Sequence, residues 1–216
     1  MGFTRSQLEA FRDGTLPDLL GPDIRILFVG INPGLWTVAA QSHFGRPGNR
    51  FYPALFQAGI TDHVIDASAG FTMADLAHLQ DRGIGITNLV ARATARADEL
   101  TPQELMAGAQ KLRLLVDQID PKVVAILGIT AYRTAFGQRA AQVGRQPETV
   151  GNTQLWVVPN PSGLNAHASL AALAAAYREV ALAAGMAVYP RPSAVPGSPP
   201  PSSVPGSPPR RRRSAS

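Results

Sequence analysis

Residues 30–51 read GINPGLWTVAAQSHFGRPGNRF. They follow an apolar run, Ile24 to Val29, that predicts a fully buried strand. The run stops at Gly30-Ile31-Asn32-Pro33-Gly34, where two glycines and a proline turn the backbone sharply and leave space for a close approach. Asn32, in the middle, both donates and accepts hydrogen bonds but does not ionise. The residues after it carry Phe44, Arg46, Asn49, Arg50 and Phe51 without a clean period, which predicts a long irregular loop at the end of a buried strand. Its aromatics and arginines argue for an ordered, functional loop rather than disorder.

Outward from this stretch, strands alternate with helices. Thr4 to Phe11 predicts a short helix capped by Thr4. Arg50 to Ala58 and Thr72 to Asp81 carry helical spacing, the first ending at Gly59. Gly85 to Val90 reads as a second strand. Thr101-Pro102-Gln103-Glu104 combines a cap, a first-position proline and a capping-box Glu, starting a helix that runs to about Ile119. Lys122 to Leu127 predicts a third strand, Ile129 to Phe136 a helix, Gln154 to Val158 a fourth strand, and Ser169 to Ala184 an alanine-rich final helix. The pattern predicts a three-layer α/β/α fold around a central, mostly parallel four-stranded sheet. Ligands of such sheets bind at the carboxyl ends of the strands, here Asn32, the segment after Val90, Gly128 and Asn160.

Composition narrows the function. With 216 residues and 45% hydrophobic content, residues 1–189 are expected to form one domain. The absence of cysteine excludes a disulfide scaffold, thiolate zinc and a cysteine nucleophile. His43, His63, His78 and His167 are scattered without ligand spacing, so neither a metal nor another cofactor is expected. No run reaches a membrane span and the N-terminus lacks an apolar signal core, so an intracellular protein is expected, cytoplasmic and nucleoid-associated or nuclear. Residues 190–216 are rich in Pro, Ser and Gly, repeat VPGSPP and end in RRRRSAS, predicting a disordered basic tail. Of the 20 bases, five lie in that tail with no acid, leaving 15 bases and 15 acids in the body. Any affinity of the body for nucleic acid must rest on where particular arginines sit.

Two motifs remain, GINPG at 30–34 and NPSGLNAH at 160–167, each at a strand end. With FG-P-NRF at 44–51, ITNLV at 86–90, ELMAGAQKL at 104–112, AILG at 125–128 and WVVPNPSGL at 156–164, the chain resembles the uracil-DNA glycosylase superfamily over roughly residues 25–177. Within it, the motifs resemble the mismatch-specific branch that includes the thymine-DNA glycosylases. The resemblance implies a DNA repair enzyme, acting as a monomer on double-stranded DNA with a mismatched or damaged base. It flips the base out and hydrolyses the N-glycosidic bond, leaving an abasic site. It further implies that Asn32 positions the water, that Phe44 stacks on the base, that backbone N–H groups near Ile31 and Phe44 bind the base carbonyls, and that Thr37 and Asn160 wall the pocket. Leu164 becomes the wedge in the base stack, with Ser162, Gly163 and Asn165 against the DNA. Trp36 departs from the small residue that relatives carry there.

Asp98 is a candidate of a different origin. Asn32 orients a water but takes no proton, and the segment 91–100, ARATARADEL, leaves the same edge of the sheet. On that reading Arg92 and Arg96 hold phosphates while Asp98 reaches inward as base. The only lysines, Lys111 and Lys122, lie in a helix and at a strand start, away from the expected site, so no Schiff-base strand cleavage is expected. Two rival readings are a noncatalytic mismatch-binding module and a small-molecule hydrolase using Ser162 and His167. The second lacks a nucleophile elbow and a triad acid.

Overall fold

The computed structural model describes residues 2–163 and 168–190. Five strands form one sheet in the order β2-β1-β3-β5-β4. They are β1 (Ile26–Gly30), β2 (Ile84–Asn88), β3 (Val123–Leu127), β4 (Gly144–Val150) and β5 (Thr153–Val158). β1 pairs in parallel with β2 on one side and β3 on the other, and β3 pairs in parallel with β5. The expected architecture is therefore present, with five strands rather than four. The additional one, β4, is antiparallel to β5 at the edge. Its sequence, GRQPETV, is polar, half exposed, and interrupted by Pro147 within a register irregularity between Arg145 and Thr149. Proline lacks the N–H of a ladder and is tolerated at such an edge, and a strand of this kind carries no apolar run to announce it.

The central strands show why their apolar runs are unbroken. In β1, Ile26 and Phe28 join one core while Leu27 and Val29 join the other. In β3, Val123, Ala125 and Leu127 alternate in the same way with Val124 and Ile126. A period of two places successive side chains on opposite faces, and both faces are covered. The first face is covered by α3 (Phe51–Ala58), α4 (Met73–Asp81) and α7 (Leu170–Ala183). There Phe28 meets the edge of Phe51 at 5.2 Å, and Tyr177 is fully buried beside both. The second face is covered by α5 (Pro102–Ile119) and α6 (Ile129–Phe136). Fully burying one large apolar side chain of this kind contributes about 1.5–3 kcal/mol.

Helix starts follow their caps. Thr4, Thr72, Thr101 and Ser169 each accept a hydrogen bond from the backbone N–H three residues on, opening α1 (Arg5–Glu9), α4, α5 and α7. One helix departs from expectation: α2 (Leu35–Ala39) forms directly after the first motif, inside the stretch expected to be irregular. At five residues it is shorter than a periodic pattern can reveal.

The strand order places the site. From β1 the chain moves outward to β2 and then crosses back to β3 on the other side of β1. The carboxyl ends of β1 and β3 thus flank the point where the winding reverses, the place where open α/β sheets bind ligands. Among the described residues no helix is long and apolar enough to cross a membrane.

Candidate active site

Beyond Gly30, the segment after β2 continues alongside the first motif. Leu89 N–H donates to Gly30 O at 2.9 Å, Val90 N–H to Ile31 O at 3.0 Å and Thr94 N–H to Pro33 O at 3.2 Å. This fixes the backbone on both sides of Asn32. The Asn32 amide nitrogen then meets Thr94 Oγ1 at 2.7 Å, Arg92 O at 3.1 Å and Pro33 O at 3.2 Å. Thr94 gives its single hydroxyl proton to Arg96 O at 2.7 Å, so toward Asn32 it acts as acceptor. A flipped amide would set its oxygen against two carbonyls, so the network assigns nitrogen and oxygen. The Asn32 Oδ1 accepts no hydrogen bond among the described residues. What results is an immobilised carbonyl oxygen on a half-buried residue, with its accepting capacity unused among the described residues.

Phe44 sits across Gly30. Its backbone is in the left-handed region at φ 55°, a costly conformation for a bulky residue and one that marks functional sites. The ring stacks on Phe51 at 4.1 Å between centroids, so its inner side is fixed by the core. The loop is ordered by specific bonds: Tyr52 OH to His43 O at 2.9 Å, His43 Nε2 to Pro17 O at 2.9 Å and Ser42 Oγ to Ala67 O at 2.5 Å. Burial holds His43 below the usual imidazole range, as a neutral donor. The N–H groups of Ile31 and Phe44 reach no acceptor among the described residues. Thr37 is buried in α2. The Trp36 ring is edge-on to Phe3 at 4.9 Å and its Nε1 donates to Ser68 O at 3.1 Å.

A residue that sequence reading passed over also meets this corner. Asn88, the last residue of β2, pairs in register with Gly30. A Cβ on Gly30 would lie 2.3 Å from Asn88 Oδ1 and 3.5 Å from Phe44 Cε1. Glycine is therefore required where a side-chain amide and an aromatic ring converge. The Asn88 amide makes no hydrogen bond among the described residues. Its signal was available: a polar residue closing a buried strand in ITNLV, at the same level as GINPG.

The second motif leaves β5 beside the first. Gly128, at the end of β3, would place a Cβ 3.5 Å from Ile31 and 3.7 Å from the Asn160 amide. Asn160 Oδ1 accepts from Ser162 N–H at 2.9 Å, closing an Asx turn. Arg50, the N-cap of α3, holds this loop: its N–H reaches Pro161 O at 3.0 Å, one Nη reaches Ser162 O at 2.9 Å and the other reaches Ala168 O. Gly163 packs against Gly48 so closely that a Cβ would lie 2.8 Å from its carbonyl oxygen. The structure thus brings Asn32, Ile31, Phe44 and Asn160 to one edge of the sheet, with Ser162 and Gly163 beside them. Leu164 and Asn165 lie outside the described residues.

Three placements bear on the expectations. Asp98 is exposed on the turn 97–99 and ion-paired with Arg96, whose Nε lies 3.0 Å from Asp98 Oδ1. Arg92 is not a phosphate holder: it grips Glu104, at 2.5 Å from Nε, and Asp13, at 3.1 Å. That contact pulls the Glu104 carboxyl down to about 2. Finally, His63 and His78 are not scattered; folding brings them together with Asp62. Arginines do gather elsewhere: a groove beside Gly34, Trp36 and Pro47 is lined by Arg5, Arg12, Arg46 and Arg96 together with Glu9 and Glu99, which both pair with Arg12. Lys111 and Lys122 are exposed, in α5 and before the amino end of β3.

A model of the uracil DNA glycosylase superfamily matches residues 17–182, and the chain belongs to that superfamily of DNA glycosylases. A solution structure from Methanosarcina acetivorans, provisionally named a uracil DNA glycosylase, shares the fold at TM-score 0.55 and 18% identity, covering 78% of this chain and 98% of its own.

The Asn32 network makes a test. Thr94→Val keeps the shape but removes an acceptor from the amide, and single-turnover base release is expected to slow on the order of tenfold, about 1.4 kcal/mol. Thr94→Ser retains the hydroxyl and should stay near the wild-type rate. Equal rates in Val and wild type would show that Thr94 does not orient Asn32.

Proposed function

We propose that this chain is a monofunctional uracil-DNA glycosylase directed to mismatched duplex DNA. The observation that carries the reading is the Asn32 amide, whose nitrogen is consumed by Thr94, Arg92 and Pro33 while its oxygen stays available. The flipped base lies on Phe44. Asn88 pairs with its edge, accepting from N3–H and donating to O4 of uracil. The N–H groups of Ile31 and Phe44 receive charge that builds on the departing base, as an oxyanion hole does. The C1′–N1 bond breaks with its electron pair leaving on the base, and the sugar becomes oxocarbenium-like. The water held by Asn32 Oδ1 forms the new C1′–O bond and its proton passes to Asp98 or to the departing base anion, which it neutralises. Thr37 and Asn160 close the pocket, Leu164 fills the vacated stack, and Ser162, Gly163 and Asn165 meet the strand.

Asp98 enters this proposal through its partner. The Asp98–Arg96 pair is fully exposed and screened by solvent, so a DNA phosphate can take Arg96 at little cost. Asp98, released on the turn that follows Thr94, then accepts the proton of the water or faces the cationic sugar. Arg96 lines the same groove as Arg5 and Arg46, which gives the phosphates a path past the site.

On duplexes carrying U:G, U:A and single-stranded uracil, the enzyme is expected to release uracil and to act faster on U:G than on U:A, because a mismatched base costs less to flip. The strand should stay intact and borohydride should trap no adduct. No uracil release would favour a noncatalytic mismatch-binding module, and a trapped adduct would contradict monofunctional chemistry.

The role of Asp98 has its own test. Asp98→Asn should lower the single-turnover rate on the order of 10²-fold with DNA binding retained. A wild-type rate would leave Asp98 as a surface partner of Arg96.

A further inference from the structure

The loop after α3 and the middle of α4 meet at a second cluster of polar side chains. Asp62 and His63 come from the loop, Asp75 and His78 from the helix. His63 Nδ1 lies 2.6 Å from Asp62 Oδ1, and His78 Nε2 lies 3.4 Å from the same oxygen. The two imidazole rings are 5.1 Å apart. One ligand atom from each of Asp62, His63 and His78 falls within a 4.8 Å cluster.

His78 supplies a second, independent observation. Its Nε2 is buried, yet makes no hydrogen bond among the described residues. A buried ring nitrogen without a hydrogen bond is costly, and native proteins rarely carry one without a reason. His78 Nε2 lies 3.4 Å from Asp62 Oδ1, close to the edge of a zinc tetrahedron, about 3.3 Å for ligands 2.0–2.1 Å from the metal, whereas His63 Nδ1 at 2.6 Å from the same oxygen would have to move outward on binding.

The outer contacts fit the same geometry. His63 Nε2, the ring nitrogen opposite Asp62, lies 3.2 Å from Asp75 Oδ1. Asp75 keeps its other oxygen for the cap of α4, accepting from Thr72 N–H at 3.2 Å and Thr72 Oγ1 at 2.6 Å. A carboxylate that receives the remote N–H of a metal-bound histidine fixes its tautomer and orientation.

We propose that Asp62, His63 and His78 form a binding site for a divalent zinc-class cation, with Asp75 as the outer partner of His63. Two imidazoles and one carboxylate suit zinc, whereas calcium and magnesium favour all-oxygen shells. The half-exposed sides of Asp62 and His63 leave the fourth position to solvent. The metal ties the loop after α3 to α4. The loop leads within a few residues to Ala67 and Ser68, whose carbonyls hold Ser42 and Trp36 beside the Phe44 loop. Metal binding therefore stiffens a strap that supports the active-site loop.

The test uses the full chain stripped of metal by chelation. Calorimetry with zinc chloride should give one equivalent bound, and zinc should raise the thermal midpoint where magnesium at the same concentration does not. Cobalt(II) should give the visible absorption of a tetrahedral site. His63→Ala and His78→Ala should each weaken zinc at least 100-fold, and Asp75→Asn 10- to 100-fold. His63 is half-exposed, so its alanine variant should keep the wild-type circular dichroism and report on the metal alone. No zinc binding in the submillimolar range would overturn the proposal. So would unchanged affinity in the His63→Ala, His78→Ala double variant.

Discussion

The site depends on one constraint: a primary amide whose nitrogen is fully engaged. Asn32 follows the central strand of the sheet, where a parallel neighbour brings the backbone of Arg92 and the hydroxyl of Thr94 to its nitrogen. Because those acceptors come from a segment that itself hydrogen-bonds to Gly30, Ile31 and Pro33, the amide has nowhere to rotate. Preorganisation of this kind places a dipole before the reaction needs it, so none of the binding free energy goes into reorienting it. An uncharged residue is a weak base, but a fixed one is a good holder of water.

The second constraint joins two loops distant in sequence. Arg50 caps α3 and reaches three carbonyls of the segment after β5, at Pro161, Ser162 and Ala168. The guanidinium fork suits this task because several donors point from one rigid plane. Phe51, next to it, anchors the stacked Phe44 ring. The aromatic platform and the second-motif loop are therefore held by adjacent residues at the start of α3.

Much of this was legible in the sequence, where local chemistry decides the outcome. The buried strands β1, β3 and β5 announced themselves as unbroken apolar runs, and Thr72, Thr101 and Ser169 as caps. What stayed hidden depends on partners far along the chain. Strand β4 is polar because only one of its edges pairs. Asn88 acquires meaning only once β2 lies in register with β1. Arg92 looked available for phosphate because nothing local showed that Glu104 and Asp13 would hold it. His63 and His78 lack ligand spacing in the sequence and meet only when the loop after α3 folds against α4.

The central claim is that Asn32 works through its held oxygen. The most direct measurement is the single-turnover rate of uracil release by Asn32→Ala on a U:G duplex, beside its affinity for the same DNA. Alanine removes the oxygen while leaving Phe44, Asn88 and the Arg50 clamp in place. The account predicts a rate loss on the order of 10²–10³-fold, comparable to removing one oxyanion-hole donor, with DNA affinity retained. A rate within a few-fold of wild type would contradict it and move the chemistry to another side chain.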